Sequence, residues 1–392
     1  MSYRSLLFLA ALAGVSRDSS LAHGQAGEPK WTWRLADRPR IDLGGEAADS
    51  NASFSRVQAA FRLRDGRLAI AEFSSPPTVR FFSAEGRYLM QVGRSGGGPG
   101  EFKAIAAVFR TPEDSLIIYD PWQARLTFIT SAGKVGRQVS RAGSGASMAS
   151  MRHVILGRFA DGTFLARNNV VGRADFGPRP ASRGGPRRDS IPWLRIREDG
   201  SVLDTLAKAP GEVYDSPAAN TFRIFRFTPR PAVLAFGDRF YLGTGEEYRI
   251  TAFDLRGRPL RTFTKAFRPA KVTAADLAAL EEEMVNAAPA GTQTAQARTQ
   301  FRSQPSMESL PAHDRFVLRD PEGNLWIQDF TVPGAPRATW SVFAEDGRFR
   351  GTVHVPSRFR VLEVGRDYVL GSWPDELGAL HVQLFDLLKG GT

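Results

Sequence analysis

Two runs decide the fold: Phe316-Val-Leu-Arg-Asp-Pro-Glu-Gly-Asn-Leu-Trp-Ile-Gln-Asp329 and, after a short irregular loop, Trp340-Ser-Val-Phe-Ala-Glu-Asp-Gly-Arg348. Each holds short apolar stretches of strand length, separated by a turn whose Gly supplies the positive backbone torsion of a tight hairpin. The same order returns at Phe61–Glu72 with Val79–Arg87, and about six times between Phe61 and the C-terminus. Repeats of roughly 40–50 residues built from short strands indicate stacked or radial arrays, and four-stranded blades around an axis are the radial solution.

The expected architecture is therefore all-β, a six-bladed propeller in one domain spanning residues 23–390. Blade one uses Phe61–Arg64, Leu68–Glu72, Thr78–Ser83 and Tyr88–Val92. Blade six supplies only three strands, Phe359–Val364, Asp367–Trp373 and Ala379–Phe385. The extended segment Trp31–Leu43 belongs to no other repeat and is expected to complete it, closing the ring with an N-terminal strand and removing its open edge.

Composition agrees. The chain has 392 residues, of which 42% are hydrophobic, and no cysteine, so disulfides, thiolate metal sites and cysteine nucleophiles are excluded. No stretch reaches the roughly 18 apolar residues of a membrane span. Residues 1–22 read as a signal peptide, with Arg4 ahead of the apolar run Leu6–Val15 and small residues at Ser20 and Ala22. A secreted or periplasmic protein is expected. The net charge of +11 comes from arginine, since only seven of the 52 basic residues are lysine. No segment interleaves that charge with aromatics as single-strand binders do, so no nucleic-acid partner is expected.

Three stretches resemble a known family. Asp120-Pro-Trp-Gln-Ala-Arg-Leu126 resembles the Asp-x-x-Asn-x-Arg-Val core of NHL repeats, with Gln123 in place of the asparagine. Gly96-Gly-Gly-Pro-Gly-Glu-Phe102 resembles the linker between consecutive NHL blades, and Asp320-Pro-Glu-Gly-Asn-Leu-Trp326 a turn of such propellers. The resemblance implies a bacterial exported six-bladed propeller of NHL type, a family whose members mostly lack an assigned activity.

Two insertions fall on one face of such a ring: a loop at 168–190 in blade three, and residues 265–309 between blades four and five. Thr273 and Asp276 read as a helix N-cap with its acidic partner, and Leu277, Leu280, Met284 and Val285 form one apolar stripe at helical spacing. That helix either seals a gap between blades or lids the channel. Long loops on one rim are where binding tends to sit.

Counting back from the inner-strand turns places Val57, Ala104, His153, the Thr228-Pro229 pair, His313 and Ser357 at the mouth on that face. Basic residues flank them, so Arg56, Lys103, His153, His313 and Arg358 are the candidate ligand-binding set. A small anionic ligand, or a protein or peptide partner, is expected there, bound by a monomer without a cofactor or covalent chemistry. The alternative is a metal-dependent lyase or hydrolase in the central channel. The family resemblance includes lyases that use three imidazoles from alternating blades; His153 and His313 match two of them, but Val57 cannot ligate. Other six-bladed propellers hold a calcium with Glu, Asp and Asn, and no such cluster stands at the inner-strand starts.

Overall fold

The structure, a computed structural model, describes residues 33–45, 50–73, 76–141, 153–168, 185–217, 223–286 and 294–390. The expected signal peptide lies outside these residues, as does most of the blade-three loop.

Two short N-terminal strands come first, β1 (Trp33–Leu35) and β2 (Ile41–Gly44). Blade one is β3 (Val57–Arg62), β4 (Leu68–Glu72), β5 (Val79–Phe82) and β6 (Tyr88–Val92). Blade two is β7 (Ala107–Arg110), β8 (Leu116–Asp120), β9 (Arg125–Ile129) and β10 (Val135–Ser140). Blade three is β11 (His153–Arg158), β12 (Phe164–Asn168), β13 (Arg187–Ile196) and β14 (Val202–Asp215), with β15 (Arg223–Ile224) beside the end of β14. Blade four is β16 (Ala232–Phe236), β17 (Arg239–Gly243), β18 (Arg249–Asp254) and β19 (Pro259–Thr264). After β19 come helices α1 (Ala274–Asn286) and α2 (Thr294–Ser303), and then β20 (His313–Arg319), β21 (Leu325–Asp329), β22 (Arg337–Phe343) and β23 (Phe349–Pro356). Blade six is β24 (Arg360–Val364), β25 (Tyr368–Pro374) and β26 (Leu380–Lys389).

Every blade is antiparallel. The inner strands β3, β7, β11, β16, β20 and β24 neighbour one another in that order and back to β3, which closes the ring. Six buried apolar clusters fill the gaps between adjacent blades. This explains why second strands such as Leu68-Ala-Ile-Ala-Glu72 are buried along their whole length rather than alternating: they are covered on both faces. The turns behave as read. Gly66 stands at φ 89° between β3 and β4, a conformation that only glycine adopts cheaply.

The closure of blade six comes from the N-terminal segment, in two pieces. Trp33 pairs with Lys389 and Ile41 with Leu384, so β1 and β2 lie along different halves of β26. Trp33 packs on Trp326 of blade five, with ring centroids 5.8 Å apart.

Blade three differs from expectation. Its two outer strands run far beyond the stretch their apolar pattern marked, and Arg187–Ser190, read as loop, is the start of β13. Pro192, Pro210 and Gly211 sit inside this hairpin. Such residues signal the end of a strand in sequence, yet are tolerated where bulges interrupt the ladder, and the β13–β14 register shifts three times.

Candidate functional site

Five of the inner-strand starts, all but that of blade four, carry or adjoin the candidate residues. β11 and β20 begin at His153 and His313, equivalent in register to Val57: these three face Asn168, Asp329 and Glu72 respectively. Arg56, Lys103 and Arg358 are exposed on the same rim. The Arg56 guanidinium stacks 4.1 Å from the Phe73 ring, and Arg358 donates to the Asp375 carbonyl at 3.2 Å. His153 is buried, and its carbonyl accepts from the Tyr119 hydroxyl at 3.4 Å.

His313 packs between blades four and five. It is 1% exposed, lies edge-on to Tyr248, and its Nδ1 donates to the Asp314 carbonyl at 2.8 Å. Gly243 makes room for it, since a Cβ there would lie 2.8 Å from Nε2. Burial pulls its pKa below the ordinary imidazole value, against the opposite pull of the Asp314 carbonyl and Asp329. Beside it, Asp329 accepts from Lys265 at 2.6 Å and from Ser341 at 2.7 Å, and the Tyr248 hydroxyl donates to the same carboxylate. His313 thus contributes a neutral ring to an inter-blade network.

Bulges decide what the inner strands show to the axis. β3, β11 and β24 each carry an extra residue, at Gln58, Leu156 and Leu362, while β20 advances from His313 to Val317 as its partner moves only from Asp329 to Ile327. An extra residue reverses which side chains face which way. In β20 two extra residues lie between His313 and Val317, so the regular pairing is interrupted there, and Arg315 is exposed two residues past the buried His313.

Arg315 is the centre of a cationic cluster. Arg360, the first residue of β24, keeps contact with solvent, and its pKa is lowered by partial desolvation and then by Arg315 and Arg56. Arg167 of β12 is lowered by burial too; Glu212 opposes the shift and Arg315 adds to it. Glu212 is itself paired with Arg230 at 2.7 Å. Among the described residues, no carboxylate lies in ion-pair contact with Arg56, Arg167, Arg315 or Arg360. Arginines of four blades thus bear on one another at this rim, with Glu212 opposing them at Arg167, and like charges so placed favour an anion. Sequence counting reached Arg56 and stopped short of Arg315 and Arg360, because the bulge in β20 has no composition of its own. No three His, Asp or Glu side chains are grouped to hold a metal ion among the described residues.

The helical insertion lies over this rim. Thr273 and Asp276 form the expected reciprocal cap, with Asp276 N–H donating to the Thr273 hydroxyl and Thr273 N–H to the Asp276 carboxylate. The stretch after α1 yields a second helix. Glu281, the one buried side chain of α1, accepts from Arg298 and Arg302 of α2. The apolar stripe is only partly covered, and Met284 is 45% exposed. The hairpin spans blade four: the Arg226 guanidinium lies over the Phe301 ring at 4.7 Å on one side, and Glu283 accepts from Gly334 N–H of the β21–β22 loop on the other.

No family model matches the sequence. No curated protein matches it either. Solved structures match along nearly the whole chain. A candidate exported protein from Bacteroides fragilis is 11% identical, with 94% of this chain and 98% of that one covered at a TM-score of 0.50. A member of the DUF4221 family from Bacteroides vulgatus is 11% identical, with 92% and 99% covered at 0.49. Virginiamycin B lyase from Staphylococcus aureus is 10% identical, with 90% and 99% covered at 0.41. At such identities the likeness is one of fold alone. No helix among the described residues is long and apolar enough to cross a membrane.

Proposed function

We propose that this chain is an exported propeller of NHL type that binds a small anion at the insertion-bearing mouth of its channel, without covalent chemistry. The observation that carries the reading is the cluster of Arg56, Arg167, Arg315 and Arg360, none of which has a carboxylate in ion-pair contact among the described residues. Low-dielectric walls around such a cluster focus its field on the channel entrance. The α1–α2 hairpin on the same rim would bound the ligand on the side of blade four.

The NHL reading is supported by what its motif does. Asp120 accepts from Trp122 and Gln123 N–H, Gln123 donates to the Gly96 and Glu101 carbonyls, and Arg125 donates to the Gly98 and Glu101 carbonyls. The motif thereby pins the blade-one-to-blade-two linker. Export is supported by the signal-like residues 1–22.

Titration with citrate and with inorganic phosphate tests the proposal. Binding is expected to weaken at least about tenfold in R315A/R360A, which removes two charge-assisted donors. Equal affinity in the double variant, or no binding of either anion to the native protein, sinks it.

A further inference from the structure

The other end of the channel carries a second concavity. It has a volume of about 890 Å³ and lies where the inner-strand turns of blades one, two and six meet, with Pro321 of blade five at its edge. These turns follow the ends of β3, β7 and β24, whereas the arginine cluster gathers about their starts. The volume is within the roughly 300–1,000 Å³ of small-molecule sites.

Its floor is built around Glu363. That side chain is only 12% exposed, and it accepts from Arg62 N–H at 2.8 Å, the Tyr368 hydroxyl at 3.0 Å and the Arg110 guanidinium at 3.1 Å. Burial pushes its pKa up, and Arg110 and the other donors restrain the shift. With both oxygens engaged by the protein, Glu363 organises the floor. Arg62 is held in place too, its guanidinium 4.9 Å from the Tyr368 ring.

The charges of the lining balance in number, four arginines against four carboxylates, but not in placement. Asp114 accepts from Arg64 N–H at 2.7 Å and faces Arg110, Asp65 is paired with Arg67 at 2.7 Å, and Asp367 lies 3.8 Å from Arg62. Each carboxylate of the mouth thus has a cation beside it. Arg64 and Arg366 line the same cavity, and their guanidinium groups have neither an ion pair nor a side-chain hydrogen bond among the described residues, although the Glu113 carboxylate feels the charge of Arg64. Ala84, Pro112 and Pro321 add apolar surface to the same lining.

The geometry points to a second ligand site at this mouth, one that takes a small organic acid, with its carboxylate between Arg64 and Arg366 and its apolar body against Pro112 and Pro321. Two guanidinium forks match a carboxylate, and rigid proline surfaces add contact at little entropic cost. The site is independent of the arginine cluster at the opposite end, and stands whether or not that cluster binds an anion.

Phenylacetate and benzoate are the probes, titrated into the full-length protein by NMR or calorimetry, with phenylacetamide as the uncharged control. Saturable binding of the acids is expected. It should weaken at least about tenfold in R64A/R366A, where both guanidinium donors to the carboxylate are removed, and remain unchanged in R315A/R360A. R64K/R366K keeps the charge and should retain part of the affinity, which separates a missing donor from a damaged fold. Failure of both acids to bind, binding of phenylacetamide as tight as that of phenylacetate, or weakening in R315A/R360A but not in R64A/R366A would each overturn the assignment.

Discussion

The Lys265 ammonium lies 2.6 Å from the Asp329 carboxylate, with the two side chains only 7% and 9% exposed. Lys265 closes blade four just beyond β19, and Asp329 ends the second strand of blade five, so the pair couples two blades through their shared gap. A buried charge left without its partner costs about 3–5 kcal/mol. Lys265→Met should therefore lower the unfolding free energy by that amount. Lys265→Met with Asp329→Asn should lose less, because the asparagine oxygen still accepts from Tyr248 and Ser341 and no charge is stranded. Urea denaturation of the two variants decides it, and equal losses would contradict the reading.

The arginine cluster predicts a trade between stability and binding. Arg315→Gln removes the cation that bears on both Arg167 and Arg360. Without ligand it should unfold at a higher denaturant concentration than the native protein. Its affinity for citrate should fall, and so should the sensitivity of that affinity to salt, since the Debye length is already about 10 Å at 0.1 M. A lower midpoint would show that Arg315 is holding the rim together.

His313 predicts an acid-side weakness. Its folded pKa is depressed while the unfolded imidazole titrates near 6.5, so the unfolded chain takes up a proton that the folded one resists. Stability should fall as pH drops from about 7 toward the depressed value, with a slope of up to about 1.36 kcal/mol per pH unit. Glu363 acts in the opposite sense: its pKa is raised, so its contribution is present at low pH and is lost as pH rises through the folded value. The difference between native protein and His313→Gln, measured as unfolding free energy at pH 7, 6 and 5, isolates the histidine. Parallel curves would mean that His313 is solvated.

The seam of blade six predicts a large effect from a small element. Trp33 is buried against Trp326, and the Lys389 ammonium lies 4.4 Å from its ring. Trp33→Ala should cost about 3–5 kcal/mol, as buried aromatic deletions do. An unchanged melting temperature would show that β2 alone secures β26.

Much of the ring was legible because hairpin chemistry is local. Asp320 shows why: its carboxylate accepts from Glu322 and Asn324 N–H and from the Trp326 indole, so the turn is written in consecutive residues. The closure of blade six was legible as a leftover strand, though not its division between β1 and β2, which depends on the partner strand. What escaped reading was whatever depends on strand register. His313 and Arg315 are two apart and should share a face of a regular strand, yet one is buried between blades and the other reaches the axis. The second concavity escaped for a similar reason, since Arg64, Arg110 and Glu363 come from three separate repeats and resemble ordinary turn-side charges in sequence.

The pairing of Trp33 with Lys389 also sets an order of events. Contacts between distant parts of a chain form slowly, because the loop they close must be ordered before they repay it. Blades one to five are each built from contiguous sequence and can form their hairpins as they emerge. Blade six forms the hairpins of β24, β25 and β26 in the same way but lacks its outermost strand, and until β1 and β2 reach it β26 presents an open edge. The hydrogen bonds that join β1 and β2 to β26 are thus the ones that remove the ring's last adhesive edge.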